Sequence, residues 1–384
     1  MEELMRVRHW RALLFGIVAV IAVIPANASA ATFTVTSQGV TYTCGPKPSD
    51  LVTPPPNPPP APAAADYQCH TYPEICPQGY LPVLPTNDAP KPEPPISRAI
   101  LAQQEAQGDF KTQTALEQTR KEVTQSEATS KALPLVDPTG EELGGSLYWH
   151  AQEESTWPWT EETEGLWTWQ TQEAPIVDTS ETGGHSLGQL WANDDSYGWG
   201  ERSDVETGWM RWAGCSHTYI FLYHFDKGQA DGYNTGFHQE SNKQVPSTEC
   251  NNGTPMGTDD NFHEFGIQRY GENWWVYHDG EWIGYYPKSS FPRYFFYGLI
   301  VGQAGGEVNE PLWDYYPYTQ MGNGQFGNSG TAAIFKEVWR YPLGKAGVYL
   351  NEASSWATEP SRYSVGRVHE YGTGDFRYGG PGWT

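Results

Sequence analysis

Two glutamates stand out as groups that could do chemistry without help from a metal. Glu307 follows a glycine pair in Ala304-Gly-Gly-Glu-Val-Asn-Glu-Pro311, and Glu206 lies in Asp204-Val-Glu-Thr-Gly-Trp209. The alternation of a strand puts Asp204, Glu206 and Gly208 on one face. Glycines beside Glu307 mark a bulge or a place where another backbone or a ligand comes close. Two carboxyl groups a few ångströms apart cannot both ionise cheaply, so one keeps its proton to higher pH. The ionised one, taken here as Glu206, removes a proton from water as that water attacks a carbonyl. The protonated one donates to the carbonyl oxygen or the leaving amine. This chemistry needs no metal, no cofactor and no covalent enzyme intermediate, and it fades toward neutral pH. Only a fold can bring together residues so far apart in the chain.

Other motifs compete. Gly184-His-Ser-Leu-Gly188 fits the G-x-S-x-G nucleophile elbow, which needs a strand before the serine and a helix after it. Gln189-Leu-Trp-Ala-Asn-Asp-Asp195 does not read as a helix, so serine hydrolysis is set aside. No Cys-x-x-Cys pair and no His-x-x-x-His spacing is present, which leaves a zinc site little support. Phe262-His-Glu-Phe-Gly-Ile-Gln-Arg-Tyr270 with Trp275-Val-Tyr-His-Asp-Gly280 is similar to a laminarinase-type strand pair. A Trp-rich jelly roll with two glutamates in a cleft also describes glycoside hydrolases, or, without catalysis, a carbohydrate-binding module. The E-x-D-x-x-E pattern of laminarinase-type enzymes is absent.

The elements that must position these residues lie in the C-terminal two thirds. Sixteen of 17 tryptophans fall at Trp149 or later, while 17 of 31 prolines fall between Pro46 and Pro95. From Gly144 onward, short aromatic and β-branched runs alternate with Gly, Asn and Asp. Thr218–Phe225, Asn273–Tyr277 and Ala332–Tyr341 are examples, and Asp279-Gly280 reads as a hairpin turn. The expectation is an all-β antiparallel sandwich or jelly roll over 141–384. Residues 46–95 read as Pro-rich and extended, and 96–132 as weak surface helix.

Arg6, Arg8 and Arg11, the apolar run Leu13–Ile24 and Ala28-Ser-Ala30 form a secretory signal over 1–30, cleaved after Ala30. Removing its three Arg and two Glu moves the net charge from −23 to −24. That balance argues against nucleic acid and for an exported protein. No later stretch approaches the length of a membrane span. Five cysteines suit an oxidising compartment. Cys215 and Cys250 are expected to pair, and one of Cys44, Cys69 and Cys76 is left over. Asn252-Gly-Thr254 is a formal glycosylation sequon.

Ser186-Leu-Gly-Gln-Leu-Trp191, Val205-Glu-Thr-Gly-Trp209, Phe221-Leu-Tyr-His-Phe-Asp226 with Asp231-Gly-Tyr-Asn234, Ile283-Gly-Tyr-Tyr-Pro287, Gly305-Gly-Glu-Val308 and Thr319–Phe326 follow one another in this order. So ordered, they resemble the neprosin family. Cys76-Pro-Gln-Gly-Tyr-Leu-Pro82 is similar to the Cys-Pro-x-Gly motif of that family's activation segment. The resemblance implies a secreted glutamic peptidase, a β-sandwich behind a removable pro-segment (31–140), that cleaves after proline. It assigns the catalytic pair to Glu206 and Glu307 and makes the pro-segment an intramolecular inhibitor.

On this reading the glycines let a peptide lie close to the strand carrying Glu307. Trp209, Trp212, Tyr286, Trp313 and Tyr316 are candidates to grip proline, with Gln320 and Tyr233 as donors to the oxyanion. Pro134 and Pro138 are candidate processing positions. Two departures affect the subsites. Ala304 stands where the family usually has Trp before Gly-Gly-Glu, which would thin a cleft wall, and the family's cysteine pair after the D-G-Y block is missing.

Overall fold

The structure is a computed structural model that describes residues 31–56, 70–87, 141–143, 146–155 and most of 163–382. The signal-like segment with Ala30, the 96–132 spacer, Cys69, Pro134, Pro138, Trp313 and Tyr316 lie outside the described residues. Among the described residues, no helix is long and apolar enough to cross a membrane.

The strands run in chain order as follows. β1 (Phe33–Ser37), β2 (Val40–Pro46) and β3 (Tyr80–Pro82) come first. Next are β4 (Glu141–Leu143), β5 (Ser146–Ser155), β6 (Thr163–Thr171), β7 (His185–Asp194), β8 (Ser203–Trp212), β9 (Tyr219–Asp226) and β10 (Gln229–Ala230). They are followed by β11 (His238–Gln239), β12 (Phe262–Tyr270), β13 (Asn273–His278), β14 (Glu281–Pro287) and β15 (Val301–Pro311). The last are β16 (Ala333–Pro342), β17 (Val348–Tyr349), β18 (Ala353–Ala357), β19 (Ser364–Arg367) and β20 (Phe376–Gly379).

All pairings are antiparallel. The first sheet has the order β10-β9-β8-β7-β15-β5-β18, with β4 on β5. The second has the order β11-β14-β13-β12-β6-β16-β20-β19, with β17 on β16. The fold is therefore the expected sandwich. Alternate residues explain the core. Leu190 and Ala192 of β7, Val205 and Trp209 of β8, Ile220 and Leu222 of β9, and Ala304 and Val308 of β15 face inward. They meet Leu166, Phe265, Ile267, Trp274, Ile283, Tyr286, Phe335 and Tyr378 from the second sheet. Each large apolar side chain buried this way contributes about 1.5–3 kcal/mol. The opposite face of the first sheet carries a second apolar cluster, Leu187, Met210, Phe221, Tyr223, Phe225 and Tyr233.

Asp279 and Gly280 have φ of 38° and 88° and join His278 to Glu281, the two-residue hairpin geometry expected of Asp-Gly. Ser186 lies inside the ladder of β7, paired with Arg211 and Val308, and no helix follows it. The elbow reading fails on geometry.

Strands also form ahead of the Pro-rich segment and within it. β1, β2 and β3 form a small antiparallel sheet, and Cys44–Cys76 staples it. Val40, Tyr42, Ile75 and Cys76 pack on Val245 of the sandwich. Asn242 holds the backbone of Cys76 with two hydrogen bonds, of 2.8 and 2.6 Å. The expected Cys215–Cys250 bridge is present. Asn252 gives its side-chain amide to Thr248 Oγ1 and accepts from Ser247 and Thr248, so the sequon asparagine already serves to hold its loop.

Farther along the same segment, Tyr72 donates to Asp279 Oδ2 at 3.2 Å, and the His70 ring stacks on His263. Burial, reinforced by His263 and His70 and opposed by Asp279, pushes the pKa of His278 down to about 3. Burial alone would raise Asp279. The neighbouring His278 and His263 and the Glu264 N–H outweigh it and hold this carboxyl below its ordinary range.

Candidate active site

Register across three strands places the two glutamates. Trp191 of β7 pairs with Glu206 on β8, and Leu187 of β7 pairs with Glu307 on β15. Directly paired residues share a face, and so do residues 187, 189 and 191. Glu206 and Glu307 therefore lie on the same face of the first sheet, the face turned away from the core. Each is on a strand hydrogen-bonded to β7, one on either side. Their partners are four residues apart, which is about 13 Å along the strand.

Gln189 sits midway. It pairs with Gly208 on one side and Gly305 on the other, so neither neighbour offers a side chain to crowd it. Its Nε2 donates to Glu307 Oε2 at 3.3 Å, and His185 Nε2 lies 3.1 Å from Glu307 Oε1. With Glu307 ionised, each of its oxygens accepts one hydrogen bond from an N–H. Both glutamates are fully buried in the full chain. The carboxyls are not a contact pair sharing one proton. The register leaves a row between them, occupied by Gln189.

Of the aromatic candidates, Trp212 and Tyr233 lie with the glutamate-face cluster, their rings 6.0 Å apart, and the Tyr233 hydroxyl reaches Met210 Sδ at 3.6 Å. Trp209 and Tyr286 instead belong to the inter-sheet core. Alternation turns Trp209 away from its neighbour-but-two Glu206. Gln320 exchanges hydrogen bonds with the backbone of Ile176 in the loop after β6.

One reading of the glycine stretch is corrected and another is narrowed to Gly305. No bulge forms at the glycines, because β15 runs through them in unbroken register with β5 and β7. Gly306 faces the core, where an added Cβ would lie 2.4 Å from the Tyr378 ring, so its smallness serves sheet packing rather than a bound peptide. Ala304 also faces the core, so a smaller residue there thins the interior and not a cleft wall.

His185 and Gln189 were missed as site residues. The signal was present: along His185-Ser-Leu-Gly-Gln-Leu-Trp191, period-2 alternation puts both on one face. Weighing that stretch against the elbow motif left its own strand unassigned.

Comparison with solved structures finds glycoside hydrolase sandwiches at low similarity. A glycoside hydrolase family protein from Mycobacterium thermorestibile is 11% identical, covering 44% of this chain and 70% of its own, with a TM-score of 0.25. The endo-1,3-beta-glucanase (laminarinase) catalytic domain of Thermotoga petrophila RKU-1 is 13% identical over 50% and 81%, with a TM-score of 0.22. A family 16 endo-glucanase of Bacteroides ovatus is 11% identical over 44% and 70%, with a TM-score of 0.26. Likeness at this level carries no argument about activity. A search of curated proteins finds no significant match. The family comparison is of a different order: the Neprosin profile matches residues 182–381, just over half of the chain and both motif glutamates with it. The chain belongs to the Neprosin family.

Proposed function

We propose that this chain is an exported glutamic endopeptidase, made as a latent precursor, that hydrolyses peptide bonds after proline in acid. The observation that carries the reading is the convergence of Glu206 and Glu307 on one face of one sheet, on either side of Gln189. The two disulfides support an oxidising, extracellular setting.

Hydrogen bonds to a carboxylate favour its charged form. The donors on Glu307 therefore make it the base, the reverse of the assignment from the sequence. Glu307 takes a proton from water as the oxygen of that water attacks the scissile carbonyl. The remaining amide hydrogen of Gln189 is free to meet the developing oxyanion. Glu206 enters as the acid and protonates the leaving amine. Activity falls as pH rises, because Glu206 must carry a proton at the start of each turnover. The residues act without a metal, and peptide or protein substrates containing proline are the expected partners.

Latency is supported by the N-terminal segment. Asn87 bridges to Tyr233, and Pro85 O accepts from Asn234. Tyr233 packs on Tyr223, the register partner of Glu206. Residues 31–140 are proposed as this inhibitory pro-segment, behind a signal over 1–30, with 141–384 as the peptidase domain.

The test is digestion of casein and of a β-glucan at pH 3–5 by the matured wild type and by Glu206→Gln and Glu307→Gln. Each variant is expected to lose about 10²–10⁴-fold in turnover on casein, the range for a general acid or base. EDTA and serine- or cysteine-directed reagents should leave matured activity intact. A folded variant with near-normal turnover removes the assignment, and glucan cleavage without proteolysis replaces it with a glycosidase.

A further inference from the structure

We propose that His70, His263 and Asp279 form a site for a divalent transition-metal ion that clips the N-terminal segment onto the second sheet. One donor atom from each of the three side chains lies within 4.8 Å of the others. The donors come from three separate places: the N-terminal segment, β12, and the turn between β13 and β14. A spacing rule applied along the sequence cannot find them.

The cluster is rich in electron pairs and poor in protons. His263 Nδ1 donates to Asp279 Oδ2 at 2.6 Å, so an ion held by both residues takes the place of that Nδ1 proton, which leaves to solvent or moves to His263 Nε2, a buried atom with no hydrogen bond among the described residues. Gln244 commits its amide nitrogen to His278 O and to Glu281, so its Oε1 accepts from His278 Nδ1. In the neutral ring, His278 Nε2 then turns its own lone pair toward Asp279 Oδ2, 3.6 Å away. An imidazole lone pair facing a buried carboxylate is a setting that a cation stabilises.

Asp279 is held in place by the Glu264 N–H on Oδ1 and the Tyr72 hydroxyl on Oδ2. Outer hydrogen bonds of this kind orient metal ligands. Two imidazoles and one carboxylate suit Zn²⁺, Co²⁺, Ni²⁺ or Cu²⁺ rather than Ca²⁺ or Mg²⁺.

Bonds of about 2.0–2.2 Å put ligand atoms of a tetrahedral site roughly 3.2–3.6 Å apart, so the set must close by about an ångström. His70 and His263 stack at 4.0 Å with rings 9° from parallel, which brings their ring edges close together. A turn of the His70 ring about χ2, a broad and soft torsion, lets both point at one ion. The ion would then tie one residue of the N-terminal segment to two of the sandwich. This site is independent of whether that segment inhibits the enzyme.

The experiment uses the full chain, without a histidine tag, at pH 7.5. Zn²⁺ and Co²⁺ are titrated by calorimetry and by visible absorption, and the metal shell is read by X-ray absorption. Expected are one equivalent bound, a shell holding at least two imidazoles, and a raised Tm. In His70→Ala, affinity should fall at least tenfold and the Tm rise should vanish. Absence of saturable binding, a shell with fewer than two imidazoles, or unchanged affinity in a folded His70→Ala each overturns the site. Should His70→Ala fail to fold, the absorption spectrum of the wild type decides alone.

Discussion

Gln189 occupies the middle of a diagonal whose ends are Glu206 and Glu307, and this gives it a testable role. It fixes Glu307 through one amide hydrogen and has the second for a developing oxyanion. Removing one such donor in other hydrolases costs about 10²–10³-fold in turnover. Gln189→Ala is therefore expected to lower kcat by that factor with little change in KM or Tm. Full kcat in a folded Gln189→Ala would reduce it to a bystander. Ser186 gives the opposite expectation. Its hydroxyl is buried without a hydrogen bond among the described residues, so Ser186→Ala should leave both activity and stability nearly unchanged. A dead but folded Ser186→Ala would revive serine chemistry.

At the scale of elements, β7 does two jobs by alternation, with Leu190 and Ala192 in the core and His185, Leu187, Gln189 and Trp191 on the glutamate face. Gly306 on neighbouring β15 is a check on this two-faced account. Its added methyl would meet the Tyr378 ring at 2.4 Å and Met321 Cγ at 2.8 Å, and overpacking of a core costs about 1–3 kcal/mol. Gly306→Ala should lower Tm by several degrees, whereas Gly330→Ala, with nothing within 4 Å, should not. An unchanged Tm in Gly306→Ala would mean the sheets are looser there than the packing implies.

Much at this scale was legible in the sequence. Aromatic runs marked β9, β13 and β16, and Asp279-Gly280 marked its hairpin, because local chemistry alone decides those features. Which face each residue takes was harder. Trp209 and Glu206 are three positions apart in one motif, yet the pleat sends them to opposite sides, and only register settles which side is the core. Of the N-terminal strands, β3 was hidden among prolines, while β1 and β2 lie just ahead of them and went unassigned. Their stability comes from a disulfide and from packing on Val245, neither of which composition reveals.

For the molecule as a whole, the N-terminal segment raises the question of release. If the proposed cleavage after proline holds, the stretch Lys131-Ala-Leu-Pro-Leu-Val-Asp-Pro-Thr-Gly140 offers Pro134 and Pro138 as sites of self-processing. Incubating purified precursor at about pH 3–4 and sequencing the stable fragment tests self-processing, since carboxylates become protonated over that range. A new N-terminus at Leu135 or Thr139, formed by wild type and not by Glu307→Gln, is the expected result. Equal maturation of the Glu307→Gln protein would assign the cut to another protease. The pairing of β7 with both β8 and β15 bears on what release can do. A strand laddered on both sides cannot shift without breaking two sets of hydrogen bonds, so the glutamates keep their spacing whether the segment is present or gone. On the proposed reading, activation is an unveiling and not an assembly. The segment, supplied as a separate polypeptide, should act on the mature enzyme as a reversible competitive inhibitor.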